Sequence, residues 1–433
     1  MTSEVVVMNR LAVALAADSA STVRGPDGRE KVWNSANKLF ALSRCEPVGV
    51  MFYNDASLAG VPWETLVKDF RSSALGVATY PTLQAYACGF IEYLKSHLNF
   101  FSKEAQEGFF LSMVQQRFED IRQLALDKSF EQFSSGKRKR PKLSDEVKKI
   151  IDPSLADWEK KENLAVVGQD LEVEIPQMYG EKIRQVVDEV FNKIDFEENT
   201  IAKLLRLATL YGTKNDFEND YTGMVFAGFG SGDLYPVVRH IKIGLVIAGR
   251  LRYRRENDYE VSDGTPSHIL PFAQSDMVQT FLNGVSPRFR STFIRSWAAT
   301  TSDLADLIVD SIGDLTPRQK TKWKKKVDQH AGVALENIVK KLGEFHFNHR
   351  RPIYGTLIHL PKDEIANVAE SLVNLNYFQK RVSMDSETVG GPIDVAVISK
   401  GDGFIWMKRK HYFAPELNPQ FFMSLKKQFN GRQ

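Results

Sequence analysis

A chain of 433 residues is long enough to bury a large core and exceeds one average domain. Its apolar fraction of 43% and charged fraction of 26% are ordinary for a globular protein, and a net charge of +3 over that length makes no case for global nucleic-acid affinity. No apolar run reaches the roughly 18 residues needed to span a bilayer. The two cysteines, Cys45 and Cys88, form no metal-binding spacing and fit a reducing compartment, so a cytoplasmic location is expected.

The chain opens with two β-prone runs, Glu4 to Met8 and Leu11 to Ala17, around Asn9-Arg10, which reads as a hairpin turn. The second run is small and aliphatic, as in a strand buried on both faces. Ala14-Leu-Ala16 looks like a signal-peptide cleavage site, but Glu4 and Arg10 have the wrong character for one. The run ends abruptly in Ala17-Asp18-Ser19, where a carboxylate is ordinarily a turn residue or helix cap. Lys38 opens another apolar run to Leu42, and Val48 to Asn54 is a further strand. Pro62-Trp-Glu-Thr opens a helix, and Pro81 to His97 carries apolar residues at helical spacing.

From about 102 to 218 the pattern is largely helical, for example Phe109 to Leu126, Tyr179 to Phe191 and Ile201 to Leu210. The basic run between Ser134 and Lys142 is read as a solvated loop, because no interleaved aromatics or recognition fold accompany it. Strand character returns at Thr222 to Gly230, continues through His240 to Ile247, and reappears at Tyr259-Glu-Val. Ser231-Gly-Asp lacks the Gly-Lys-Ser/Thr signature of a phosphate loop and suits a β-turn. Ile269 to Ser275 precedes a helix reaching Leu282, where Ser275 and Asp276 suit an N-cap. Residues 287 to 343 form a second helical stretch with a basic, solvated face at Arg318 to Lys326. His346 and His349 have no carboxylate or thiol at ligand spacing, so no metal site is expected, and no cofactor either. A helix from Pro361, the glycine pair Gly390-Gly391, a strand to Ser399, a glycine turn and a last strand to Trp406 close the pattern.

The order Thr2, Ala17-Asp18-Ser19, Lys38-hydrophobic-hydrophobic resembles the proteasome β-subunit and HslV peptidases, a family of N-terminal-nucleophile (Ntn) hydrolases. Asp18 lies sixteen residues after Thr2 (18 − 2), the family's spacing, whereas the loop before Lys38 is a few residues longer. The likeness covers three blocks, 2 to 98, 222 to 284 and 355 to 410. It implies an α+β fold, a four-layer α/β/β/α sandwich made from residues 2–101, 219–286 and 346–433, with helical insertions at 102–218 and 287–345.

The resemblance also implies a chemistry. Removal of Met1 exposes Thr2, whose α-amine, with a reference pKa of roughly 8, serves as base to its own hydroxyl. Lys38 favours the neutral amine, and Asp18 orients Lys38. Asp385, for which Ser386 competes, and Ser275 are the implied supporting residues. The expected activity is proteasome-like threonine peptidase action on polypeptides by a ring-like homo-oligomer, with room for an ATP-dependent unfoldase. Tyr53-Asn54 stands where the family has a glycine pair, whose amide helps form the oxyanion hole. That departure keeps open an inert structural or regulatory subunit, and an amidase of small molecules stays open as well.

Overall fold

The computed structural model describes residues 2–24, 30–76, 78–134, 142–192, 194–311, 316–383 and 390–423. The described strands before the first helix are β1 (Ser3–Asn9), β2 (Val13–Ala17), β3 (Ser21–Arg24), β4 (Glu30–Trp33), β5 (Leu39–Ala41), β6 (Val48–Asn54), β7 (Ser57–Leu58) and β8 (Val61–Pro62). Six helices follow, α1 (Trp63–Ser72), α2 (Leu83–Ser96), α3 (Lys103–Ser134), α4 (Leu143–Lys160), α5 (Leu171–Val190) and α6 (Glu198–Thr213). Next come β9 (Thr222–Gly228), β10 (Val237–Ile247), β11 (Arg250–Glu260) and β12 (Ser267–Ala273). The chain continues with α7 (Asp276–Asn283), α8 (Pro287–Ser311), α9 (Pro317–Leu357), α10 (Lys362–Val382), β13 (Asp394–Ser399) and β14 (Gly403–Lys408). The fold is mixed α and β with antiparallel sheets.

These elements form two compact units, Met1–Ala36 with Glu260–Gln433, and Asn37–Tyr259. The first unit holds a five-stranded sheet in the order β12-β1-β2-β13-β14. Every pairing in it is antiparallel. The expected hairpin is present: Asn9 Oδ1 accepts from the amides of Leu11 (2.9 Å) and Ala12 (3.4 Å), which turns the chain. Its Nδ2 donates to the carbonyls of Leu357 and Leu360, tying that turn to the end of α9. On one sheet face Val5, Val7, Ala14, Ala16, Val395 and Val397 meet Val278 and Leu282 of α7 and Ile365, Ala369, Leu372 and Val373 of α10. The alternation is the pleat at work, and the α10 residues recur at helical spacing. The β2 strand is buried at every position, as its composition predicts.

The second unit holds a five-stranded sheet in the order β11-β10-β9-β6-β5. Helices α1 and α2 cover it with Trp63, Leu66, Phe70, Tyr86 and Phe90 against Val50, Phe52, Met224 and Phe226. Helices α3 to α6 build a separate core around Phe118, Ile175, Leu207 and Tyr211. Several sequence boundaries need correction. The helical stretch lies within the expected 102 to 218, but its individual helices run longer than the spans read from the sequence, and Pro153 and Pro176 are accommodated inside α4 and α5. Pro62 is the N-cap of α1 and the last residue of β8, not part of the first turn. The strand expected at Tyr259-Glu-Val is the end of a much longer β11 that stops at Glu260. Helix α9 runs without interruption to Leu357.

Candidate active site

Antiparallel pairing gathers several of the expected site residues at one end of the first unit's sheet. In that sheet β1 begins, β2 ends, β12 ends and β13 begins at the same edge, so Thr2, Asp18, Gln274-Ser275 and Gly390-Gly391 converge. Thr2 is only 6% exposed, and its carbonyl accepts from the Gln274 amide at 3.0 Å. Asp18, 1% exposed, presents both carboxylate oxygens to backbone donors. Oδ1 accepts from Ser3 N at 3.1 Å, while Oδ2 accepts from Ala20 N at 3.3 Å and Gly390 N at 3.1 Å. A carboxylate held by three amides is fixed in position.

The glycine pair is part of this clasp. Gly390 O accepts from Ser19 N at 3.1 Å, and the Ser19 hydroxyl donates to Pro392 O. Gly391 has φ +77°, and a Cβ there would meet the Asn34 carbonyl oxygen at 2.8 Å, so only glycine fits without rearrangement. Ser275 occupies the N-cap position of α7, yet its side chain makes no cap hydrogen bond. Its Oγ accepts instead from Gln279 Nε2 at 2.8 Å. Asp385 and Ser386 lie outside the described residues.

Two groups here escaped the sequence reading. Asn376 of α10, 3% exposed, donates to Ser3 Oγ at 2.7 Å and to Gln274 O at 2.9 Å, joining the residues on either side of Thr2's own contacts. Its signal was an amide on the apolar face of an otherwise regular helix. Asp394, 1% exposed and paired in register with Ala17, accepts from the Lys410 amide at 2.9 Å and pairs with the Lys410 ammonium and Arg409. Its charge was visible in the sequence, but its partners lie beyond a turn and a whole strand.

The second unit carries the remaining expected residues. Lys38, 5% exposed, precedes β5, and its carbonyl accepts from Phe52 N at 3.0 Å. Because β5 begins where β6 ends, Lys38 and Tyr53-Asn54 share one end of this sheet. Asn54 has φ +75°, the left-handed conformation that glycine adopts most easily and asparagine tolerates. Its Nδ2 is spent on the carbonyls of Asn219 (2.8 Å) and Tyr221 (2.6 Å). The Tyr53 ring lies over Gly223, and its hydroxyl is 2.9 Å from His240 Nε2. Burial pushes the His240 imidazole down to about 4, so it is neutral at physiological pH.

Among the described residues no group of three or more His, Cys, Asp or Glu is arranged to hold a metal ion. Among them also, no helix is long and apolar enough to cross a membrane. No family model, curated protein or solved structure matches the chain.

Proposed function

We propose that the chain is a proteasome-like threonine peptidase, with Thr2 as nucleophile and base after Met1 removal, Lys38 as electrostatic activator and Asp18 as orienter. The proposal includes a four-layer α/β/β/α sandwich as the fold and a cytoplasmic, ring-forming assembly acting on polypeptides. The observation that carries it is the clasp on Asp18. Its carboxylate joins the backbone beside Thr2 to the glycine pair hundreds of residues later, and both stretches were singled out by the resemblance. A second support is the backbone at Asn54, whose positive φ is glycine-like where the family has glycine. The same stretch favours the second reading, an inert structural or regulatory subunit, because Tyr53-Asn54 brings side chains where the family has none.

The test is covalent. Mass spectrometry of the purified protein should show loss of Met1 and an unacetylated Thr2 amine. An epoxyketone, which bonds to both the hydroxyl and the α-amine of one residue, should then add once per chain, and Thr2→Ala should abolish the adduct. A protein with a free Thr2 amine that takes up neither epoxyketone nor boronate would establish the inert reading instead.

A further inference from the structure

The second unit carries a solvent-open cavity of about 240 Å³ between the loop after β6, the first half of α3, the start of β9 and the later half of β10. Leu58, Phe109 and Met113 give it apolar wall, while Asp55 and Asp220 bring two carboxyls to it. The acids differ in what holds them. Asp220 accepts from Arg117 Nε at 3.1 Å and Nη2 at 2.6 Å, and the same guanidinium faces Glu218 at 3.3 Å. Among the described residues, no side chain donates to or pairs with the Asp55 carboxyl, and only its carbonyl is engaged, by the Thr222 hydroxyl at 3.2 Å.

Asp55 and Asp220 are the charged residues in the cavity lining; Asp220 is paired with Arg117, whereas among the described residues Asp55 has no cation beside it. A divalent metal ion would want six or more oxygen ligands, with several carboxylates free to give them. Here one of the two carboxylates is already committed to Arg117. The volume lies below the roughly 300–1,000 Å³ of drug-sized sites and suits a single short chain. A compact cation with an apolar stem answers both the unpaired carboxyl and the apolar wall.

We propose that this cavity binds an organic cation of the alkylammonium or guanidinium class, such as the end of a lysine- or arginine-like group, with Asp55 as its counter-ion and its stem against Phe109 and Met113. The site lies wholly within the second unit and is independent of the threonine chemistry. Asp55 is an exposed residue, yet the protein packed around its carboxyl and the Asp220 charge raise it to about 6. Binding of a cation requires the ionised form, so affinity is full above that value and falls as the pH drops through it.

Ligand-observed NMR titration of the full chain with butylammonium, alongside butanol and butyrate, tests the proposal. At pH 7.5 butylammonium should bind saturably and the two controls should not. Asp55→Asn should weaken it at least tenfold, and the unmodified protein should bind about tenfold more weakly at pH 5 than at pH 7.5, a dependence Asp55→Asn should lack. Ser112→Trp, which fills the cavity from α3, should abolish binding with the circular dichroism unchanged. Absence of saturable binding at pH 7.5, equal binding of butanol, or undiminished binding by folded Asp55→Asn would each overturn it.

Discussion

Asp18 serves the fold as much as any chemistry. Its three amide donors are buried with it, so Asp18→Ala leaves them without an acceptor, at roughly 1–3 kcal/mol for each unsatisfied group. Urea unfolding should show Asp18→Ala destabilised by several kcal/mol and Asp18→Asn, which keeps one oxygen, by less; equal stability of all three proteins would contradict the clasp. Lys38 tests the chemistry more cleanly. Lys38→Ala and the better-filling Lys38→Met should remain folded and slow epoxyketone addition to Thr2 by roughly 100-fold or more. A near-normal labelling rate in either folded variant refutes the activator role. His240 makes a separate prediction about pH. Its ordinary value of 6.5 applies to the unfolded chain and about 4 to the folded one, so the unfolded state binds the proton first as pH falls. Its contribution is therefore complete above pH 6.5 and is lost progressively toward pH 4. Between pH 7.5 and 4.5 that amounts to roughly 2–3 kcal/mol, an order-of-magnitude figure. His240→Gln should show a correspondingly flatter stability curve, and parallel curves for the two proteins would remove His240 from the account.

At the scale of elements, the β6–β9 pair shows how one strand reserves space for another. Tyr53 stands opposite Gly223, and a Cβ at Gly223 would meet the Tyr53 ring at 2.1 Å. Gly223→Ala should push the ring from His240 and cost roughly 1–3 kcal/mol in denaturant unfolding; an unchanged midpoint would show that the ring moves freely. Elements with clean patterns were legible in advance: β6 matches the expected Val48 to Asn54 span, and α2 follows its apolar spacing. Those that were not legible have specific reasons. The β11 sequence RLRYRRENDYE is charged on both faces for much of its length, because only Leu251 and Arg252 are buried, and so it lacks the alternation of a half-buried strand. Arg252 is fully buried against the Phe217 ring, which no local pattern announces. Thr2, Asp18 and the glycine pair were readable as separate signals, but their meeting at one sheet edge, and the parts played by Asn376 and Asp394, come from antiparallel pairing across distant segments.

For the whole molecule, the two helical hairpin arms α8 and α9 contribute little to burial. Among their described residues only Ala305, Val309 and Leu357 are buried, while Phe289, Leu307 and Phe347 are 62%, 68% and 66% exposed. Large apolar side chains left exposed on two long helices with few buried residues give those helices surface for contact with other chains. The proposed ring-forming peptidase should therefore self-associate, and sedimentation velocity at micromolar concentration should show species larger than one chain. A single 49.1 kDa species at every concentration would count against a chambered peptidase and leave a solitary hydrolase.

The first unit is assembled from both ends of the sequence, and this sets an order of events during synthesis. Strands β1 and β2 leave the ribosome early, but their sheet neighbours β12 and β13 follow only after the whole second unit has been made. At about 5–20 residues per second that delay is on the order of tens of seconds. Throughout it the apolar hairpin has open edges on both sides, and Thr2 has yet to meet Gln274, or Ser3 to meet Asn376. On the proposed mechanism, removal of Met1 therefore belongs to the interval before the last strands arrive and bury Thr2 to 6% exposure.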